Sequence, residues 1–303
     1  MAQLLKKILI STSVAAGMGL AISAPASAAS ITGASIDGGS SDYILYCLDG
    51  AQTSNCTGSG TLDQVLGSDA GNIELDANSE ASGGWGAPVS FTGQLNGKDI
   101  TISSLSQADW TDDLGTQWVG DALAAIVNQN PGLAPFAGAI GGLTNSIWTA
   151  LKLDPSNPLA IFSDPNVSYV TQDGDASGEI SVGLIGHFNA FENPLYKNVF
   201  TGGLAEALGQ SPAVISGLVQ NLQASELVKI VYNGETQYKY SFSATNTGVT
   251  EASDNFSHSG EYVVKIDGME MEPPASTPEP SAMLGLAGLV GLYAGKRKMQ
   301  KDA

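Results

Sequence analysis

"VSFTGQLNGKDITIS", Val89–Ser103, has the pattern of a β-hairpin. Two short runs alternate apolar and polar residues and meet at Asn96-Gly97. Alternation at period two puts one row of side chains on a buried face. Asn-Gly supplies the two positive-φ residues that a two-residue type I′ hairpin needs. The pattern recurs downstream: Glu226–Tyr232 runs into Asn233-Gly234, then Thr236–Ala244. In that second strand Tyr238, Tyr240 and Phe242 fall on one face. Ile31–Ile36, Tyr43–Leu48, Asn72–Leu75, Asn166–Gln172, Glu179–Phe188 and Glu261–Ile266 are further β-prone runs bounded by Gly, Asp and Ser.

Two stretches change period. Residues 107–151 read as helical, with Asp113 and Asp121 as candidate N-caps and Pro131 ending one helix. A second stretch, "GGLAEALGQ" and "SPAVISGLVQNLQ", carries Ser211 as N-cap and Pro212 at the first helical position. The expectation is an α+β protein: a β-rich, antiparallel, sandwich-like body with two helical insertions.

The ends read differently. Lys6 and Lys7 precede an apolar run, Ile8–Ile22, and Ala26-Ser27-Ala28 offers the small residues of an A-x-A cleavage site. This is the layout of a secretory signal peptide, residues 1–28, with its helix in the apolar run and cleavage after Ala28. The apolar core is short for a permanent anchor. At the other end, "EMEPPASTPEP" is a Pro-rich linker that cannot pack, assigned as residues 272–280. Residues 281–295 are uncharged and mostly apolar, and residues 296–303 form a basic tail containing Lys296, Arg297 and Lys298. Fifteen helical residues span about 22 Å, short of the roughly 30 Å hydrocarbon core. Flanking lysines can snorkel to lengthen the span, and they place the C-terminus in the cytoplasm. The reading is a short C-terminal transmembrane helix with the body, residues 29–271, outside.

Charge narrows the partners. Residues 29–277 carry 6 lysines, no arginine and 28 acidic residues, a formal charge of −22. Such a body repels phosphate backbones, so nucleic acid is not an expected partner. Cys47 and Cys56, with eight residues between them and an Asp49-Gly50 turn, predict a disulfide in an exported chain. Closing that loop contributes about 2–3 kcal/mol in the chain-entropy picture. Neither a C-x-x-C spacing nor a neighbouring histidine supports a redox or metal role.

Three groups of residues invite a chemical reading. Asp173, Asp175 and Ser177 occupy alternate positions before Gly178, as oxygen ligands of a calcium loop do. Leu184 stands where such a loop has its bidentate Glu, and an Asp/Gly-rich hairpin turn explains the same letters. Calcium is therefore an alternative cofactor, and none is the primary expectation. His187 and His258, the latter between Ser257 and Ser259, are the available general bases for a hydrolase, but no nucleophile, zinc or phosphate-loop motif accompanies them. No catalytic residue is assigned, and the expectation is a protein that is not an enzyme. Trp85, in the loop "SGGWGAP", is placed to stack on a sugar ring, whereas Trp110, Trp118 and Trp148 in the helical stretch read as core.

Pro278-Glu279-Pro280, the apolar run after it and the Lys296-Arg297-Lys298 cluster together resemble the PEP-CTERM sorting signal of Gram-negative bacteria. The resemblance covers about the last 26 residues and implies recognition and cleavage near the motif by an exosortase, after signal peptidase has removed residues 1–28. It implies a cell-envelope, surface or extracellular address, with the C-terminal helix holding the chain in the membrane before processing, and extracellular polysaccharide as neighbour. The body, through "FSDPNVSYVTQD", "GLIGHFNA" and "ASELVKIVYNGETQYKYSFSAT", resembles an uncharacterised family of exported proteins with the same tail, which brings no activity with it. The expected function is an exported envelope or matrix protein sorted through its tail. A glycan- or calcium-binding module is the alternative.

Overall fold

A computed structural model describes residues 29–37, 42–66, 71–75, 85, 87–154, 158–190, 194–218 and 222–268. The chain begins with β1 (Ala29–Ser30), β2 (Thr32–Ile36), β3 (Tyr43–Asp49), β4 (Gln52–Asn55), a short helix α1 (Leu62–Leu66) and β5 (Asn72–Leu75). The hairpin β6 (Ser90–Leu95) and β7 (Lys98–Ser103) follows. The first helical insertion contains a 3-10 turn (Gln107–Asp109), α2 (Asp112–Gln129), a second 3-10 segment (Pro131–Phe136), α3 (Ala137–Gly141), α4 (Thr144–Leu153) and α5 (Pro158–Ile161). After β8 (Asn166–Gln172) and β9 (Ile180–Gly186) come the second insertion, α6 (Pro194–Leu208) and α7 (Pro212–Leu218), and then β10 (Val228–Tyr232), β11 (Glu235–Lys239), β12 (Ala244–Asn246), β13 (Thr250–Glu251) and β14 (Gly260–Ile266).

Both Asn-Gly hairpins form as their sequences predict. Asn96 and Gly97 have φ of 47° and 74°, and Asn233 and Gly234 have 51° and 77°. These are the left-handed pairs a type I′ turn demands. β10 then adds to β7, with Ile230 opposite Ile102, so the two hairpins fuse into one five-stranded sheet ordered β11-β10-β7-β6-β2. Phe91, Leu95, Ile100, Ile102 and Ile230 are buried on it. The larger sheet has nine strands, ordered β12-β14-β9-β8-β5-β3-β4-β13, with β1 also on β8. Its pairs are antiparallel except β13 with β4.

The run Ile31–Ile36 is not one strand. β1 pairs with β8 in the large sheet, β2 with β6 in the small one, and the buried Ile31 sits at the crossing. A bulge between Thr32 and Ser35 makes the turn, using Gly33 at φ 62°. Polar links tie the sheets beside this crossing, where Gln172 pairs with Ala29 and Gln94 with Thr32. Asn96 Nδ2 donates to Gln172 Oε1 at 3.1 Å, and Gln172 Nε2 donates to Tyr232 Oη at 3.3 Å.

The two helical insertions meet. Trp110, Trp118 and Trp148 from the first and Phe200 and Leu204 from the second share one core with Phe162 and Tyr240. Tyr238, Tyr240 and Phe242 all pack against it, so their common face holds even though β11 stops at Lys239. One helix starts two residues earlier than its sequence suggests. Thr111, not Asp113, caps α2, its hydroxyl accepting from Leu114 N at 3.2 Å. Asp121 lies inside α2 and accepts from Tyr240 Oη at 2.7 Å. Ser211 caps α7 as predicted, accepting from Val214 N.

No helix among the described residues is long and apolar enough to cross a membrane. The expected signal helix and C-terminal helix, with Ala26, Ala28, Pro278, Glu279, Pro280, Lys296, Arg297 and Lys298, lie outside the described residues.

Candidate functional site

The site grows from the start of the first helical insertion. The 3-10 turn brings Asp109 back onto its own entry. Asp109 Oδ2 accepts from the Ser106 amide at 2.8 Å and the Ser106 hydroxyl at 2.7 Å. Oδ1 accepts from Lys229 Nζ at 2.7 Å and Tyr238 Oη at 2.6 Å, so the turn is bolted to β10 and β11. Burial alone would raise the Asp109 carboxyl. The hydrogen bonds from Lys229, Ser106 and Tyr238 outweigh it and hold the group at about 2. Burial and the Asp109 carboxylate push the Tyr238 phenol well above its ordinary range.

This clamp fixes Trp110, the next residue. Trp110 Nε1 donates to Ser163 Oγ at 2.8 Å, which locks the indole from its other end. Trp148 of α4 stacks beside it, with centroids 6.0 Å apart and planes 26° apart. Trp148 Nε1 donates to Asp112 Oδ1 at 2.9 Å, and Lys152 Nζ donates to the same oxygen at 2.6 Å. Lys152 Nζ also lies 5.7 Å from the Trp148 ring centroid. Those bonds, Lys152 first and Trp148 next, lower the Asp112 carboxyl below its usual range. Gly115 of α2 makes room for this arrangement. A Cβ there would fall 2.4 Å from the Trp148 ring, a distance no side chain tolerates.

Trp85 completes the group. It is half-buried rather than fully exposed, packs against the helical core, and faces Trp110 and Trp148 across a cavity of about 150 Å³. Gln107 and Lys152 line the same cavity, and Leu151 and Leu159 supply its apolar wall. Three indoles, an amide and an ammonium therefore surround one small concavity with every indole of the stacked pair already hydrogen-bonded and oriented. Such a concavity can hold one small ring.

The other predicted residues lie elsewhere. Asp173, Asp175 and Ser177 sit in the exposed β8–β9 hairpin loop. Asp175 Oδ1 accepts from the Ser177 amide at 2.9 Å and the Ser177 hydroxyl at 2.6 Å, an Asx turn, and those bonds lower its carboxyl. Among the described residues no group of three or more His, Cys, Asp or Glu is arranged to hold a metal ion. Cys47 and Cys56 form the expected disulfide, with Cα atoms 5.8 Å apart.

His187 and His258 come into one neighbourhood around Asp254. Burial lowers both imidazoles, His258 to about 4, while the Asp254 charge acts the other way on each. His258 Nδ1 lies 2.6 Å from Thr53 Oγ1, and both residues are more than nine-tenths buried. His187 stacks on Phe256. The serines beside His258 are engaged: Ser257 donates to Asp254, and Ser259 Oγ accepts from Phe188 N. No serine is hydrogen-bonded to either ring among the described residues.

Asp109, Gln107, Lys152 and Lys229 escaped the sequence reading. Ser106-x-x-Asp109 has the spacing of a helix-entry pair and was the one readable signal. Compared with family models, curated proteins and solved structures, the chain matches none.

Proposed function

We propose that this chain is an exported cell-envelope or extracellular-matrix protein, sorted and trimmed through its Pro278-Glu279-Pro280 tail, whose folded body binds rather than transforms its partner. The three-part tail carries the reading, and the layout of the body supports it. β14 ends at Ile266, well short of Pro278. Cleavage near Pro278 leaves every described element whole. The Cys47–Cys56 disulfide is compatible with an oxidising exterior. An exosortase-type enzyme is the proposed processing partner, and the C-terminal helix the proposed anchor before it acts. The two sheets are read as the layers of a sandwich, since β1 and β2 carry the chain from one to the other.

Cell fractionation tests the sorting. The full chain should reach the surface or medium, and a chain ending at Thr277 should stop in the periplasm. Equal distribution of the two removes the role given to the tail. A calcium-binding module is the reading that the Asp173–Ser177 loop would favour. Calcium that raises the melting temperature of the wild type but not of Asp173→Ala/Asp175→Ala selects it.

A further inference from the structure

We propose that the Trp85–Trp110–Trp148 cavity binds one neutral sugar ring of an extracellular polysaccharide. The inference rests on the binding-protein reading above and is independent of how the chain is sorted. Size comes first. A cavity of about 150 Å³ takes a bare benzene-sized ring, so it admits one edge of a single, bulkier pyranose and no more. A polymer would therefore present one unit to it and run past its mouth.

Chemistry then chooses among rings. The C–H faces of a pyranose stack on indoles, and its hydroxyls need donors and acceptors at the edge. Trp110 and Trp148 are buried and have their N–H groups occupied by Ser163 and Asp112, so each offers a ligand only the strip of ring that lines the cavity. Trp85, from a separate loop, is the half-buried wall, packed against the helical core on one side. Gln107 is exposed and supplies both a donor and an acceptor. Lys152, whose side chain is 45 % exposed, lines the cavity and supplies further donors.

Other ligands fit less well. A cationic group would seek an aromatic cage, but Lys152 already stands over Trp148 and repels it. An anionic sugar would find the one lining ammonium, Lys152, already paired with Asp112, in a body of formal charge −22. A purely apolar ring would strip water from Gln107 and Lys152 without replacing their hydrogen bonds. A neutral polyhydroxylated ring satisfies both the indoles and the edge.

Affinity electrophoresis of the purified protein tests this, in gels cast with dextran, laminarin, galactomannan or xylan, and with alginate as the anionic comparison. Retardation is expected in at least one neutral gel and not in alginate. Trp85→Ala should weaken it by about tenfold, the loss of one stacking wall. Gln107→Ala, on an exposed side chain, should weaken it several-fold without touching the core. Thermal unfolding of both variants separates lost binding from lost fold; if Trp85→Ala unfolds, the Gln107→Ala result decides alone. Free migration in all four neutral gels, retardation by alginate only, or folded variants that bind like the wild type would overturn the proposal. A protein that binds sugar yet keeps its C-terminal tail would count against the sorting reading and leave this one standing.

Discussion

Replacing Asp109 with Asn probes the joint that carries the site. The carboxylate accepts four hydrogen bonds: from Ser106 twice, from Lys229 and from Tyr238. An asparagine offers one acceptor oxygen, and its amide would point donors at donors. Hydrogen bonds to charged groups contribute about 1.5–3 kcal/mol each, and breaking a fully buried pair costs about 3–5 kcal/mol. Asp109 is 9 % exposed but Lys229 is 29 % exposed and can turn to water. The expected loss is therefore below the fully buried case, about 2–3 kcal/mol. For a body of this size that lowers the melting temperature by roughly 5–10 °C. The pH dependence provides a second reading. The folded carboxyl is depressed from 3.8 to about 2, so its contribution is full above the unfolded value and disappears as pH falls from about 4 towards 2. Far-UV circular dichroism melts of wild type and Asp109→Asn should differ fully at pH 7, by about half as much at pH 3, and converge as the pH approaches 2. A variant that melts with the wild type at pH 7, or a gap that does not narrow in acid, refutes the clamp. Since Trp110 follows Asp109 directly, the folded variant should also bind sugar more weakly.

Gly115→Val drives a side chain into the Trp148 ring and should cost at least about 1–3 kcal/mol from overpacking, read as a lower melting temperature and altered tryptophan emission; a wild-type melt and spectrum would remove Gly115 from the account. Cys47→Ser/Cys56→Ser should lose about 2–3 kcal/mol in urea unfolding, and no loss would mean that the β3–β4 hairpin is held without its bond.

Local pairing was legible from the chain and long-range assembly was not. Asn96-Gly97 and Asn233-Gly234 announce their hairpins because turn chemistry and alternation sit within a few residues of each other. That β10 then joins β7 depends on contacts more than 100 positions apart, to which no local pattern is tied. Ile31–Ile36 reads as one strand because β propensity is blind to which sheet accepts each residue; the bulge at Gly33 decides it. Asp121 reads as an N-cap, yet Trp118, Val119, Ala122 and Leu123 around it are buried and carry the helix straight through. The tryptophans divide the same way. Trp110 and Trp148 are buried as their helical spacing implies, and Trp85 lies in a loop. Their convergence on one cavity needed the packing of α4 on α2 and a loop from before β6, and neither leaves a trace in the spacing.

Intact-mass spectrometry of the protein recovered from the cell surface or medium reads both proposed cuts at once. The account predicts one chain beginning at Ala29 and ending near Pro278–Pro280, with two hydrogens fewer than its sequence mass for the Cys47–Cys56 bond. A mature product that still carries Lys296–Ala303 would contradict it.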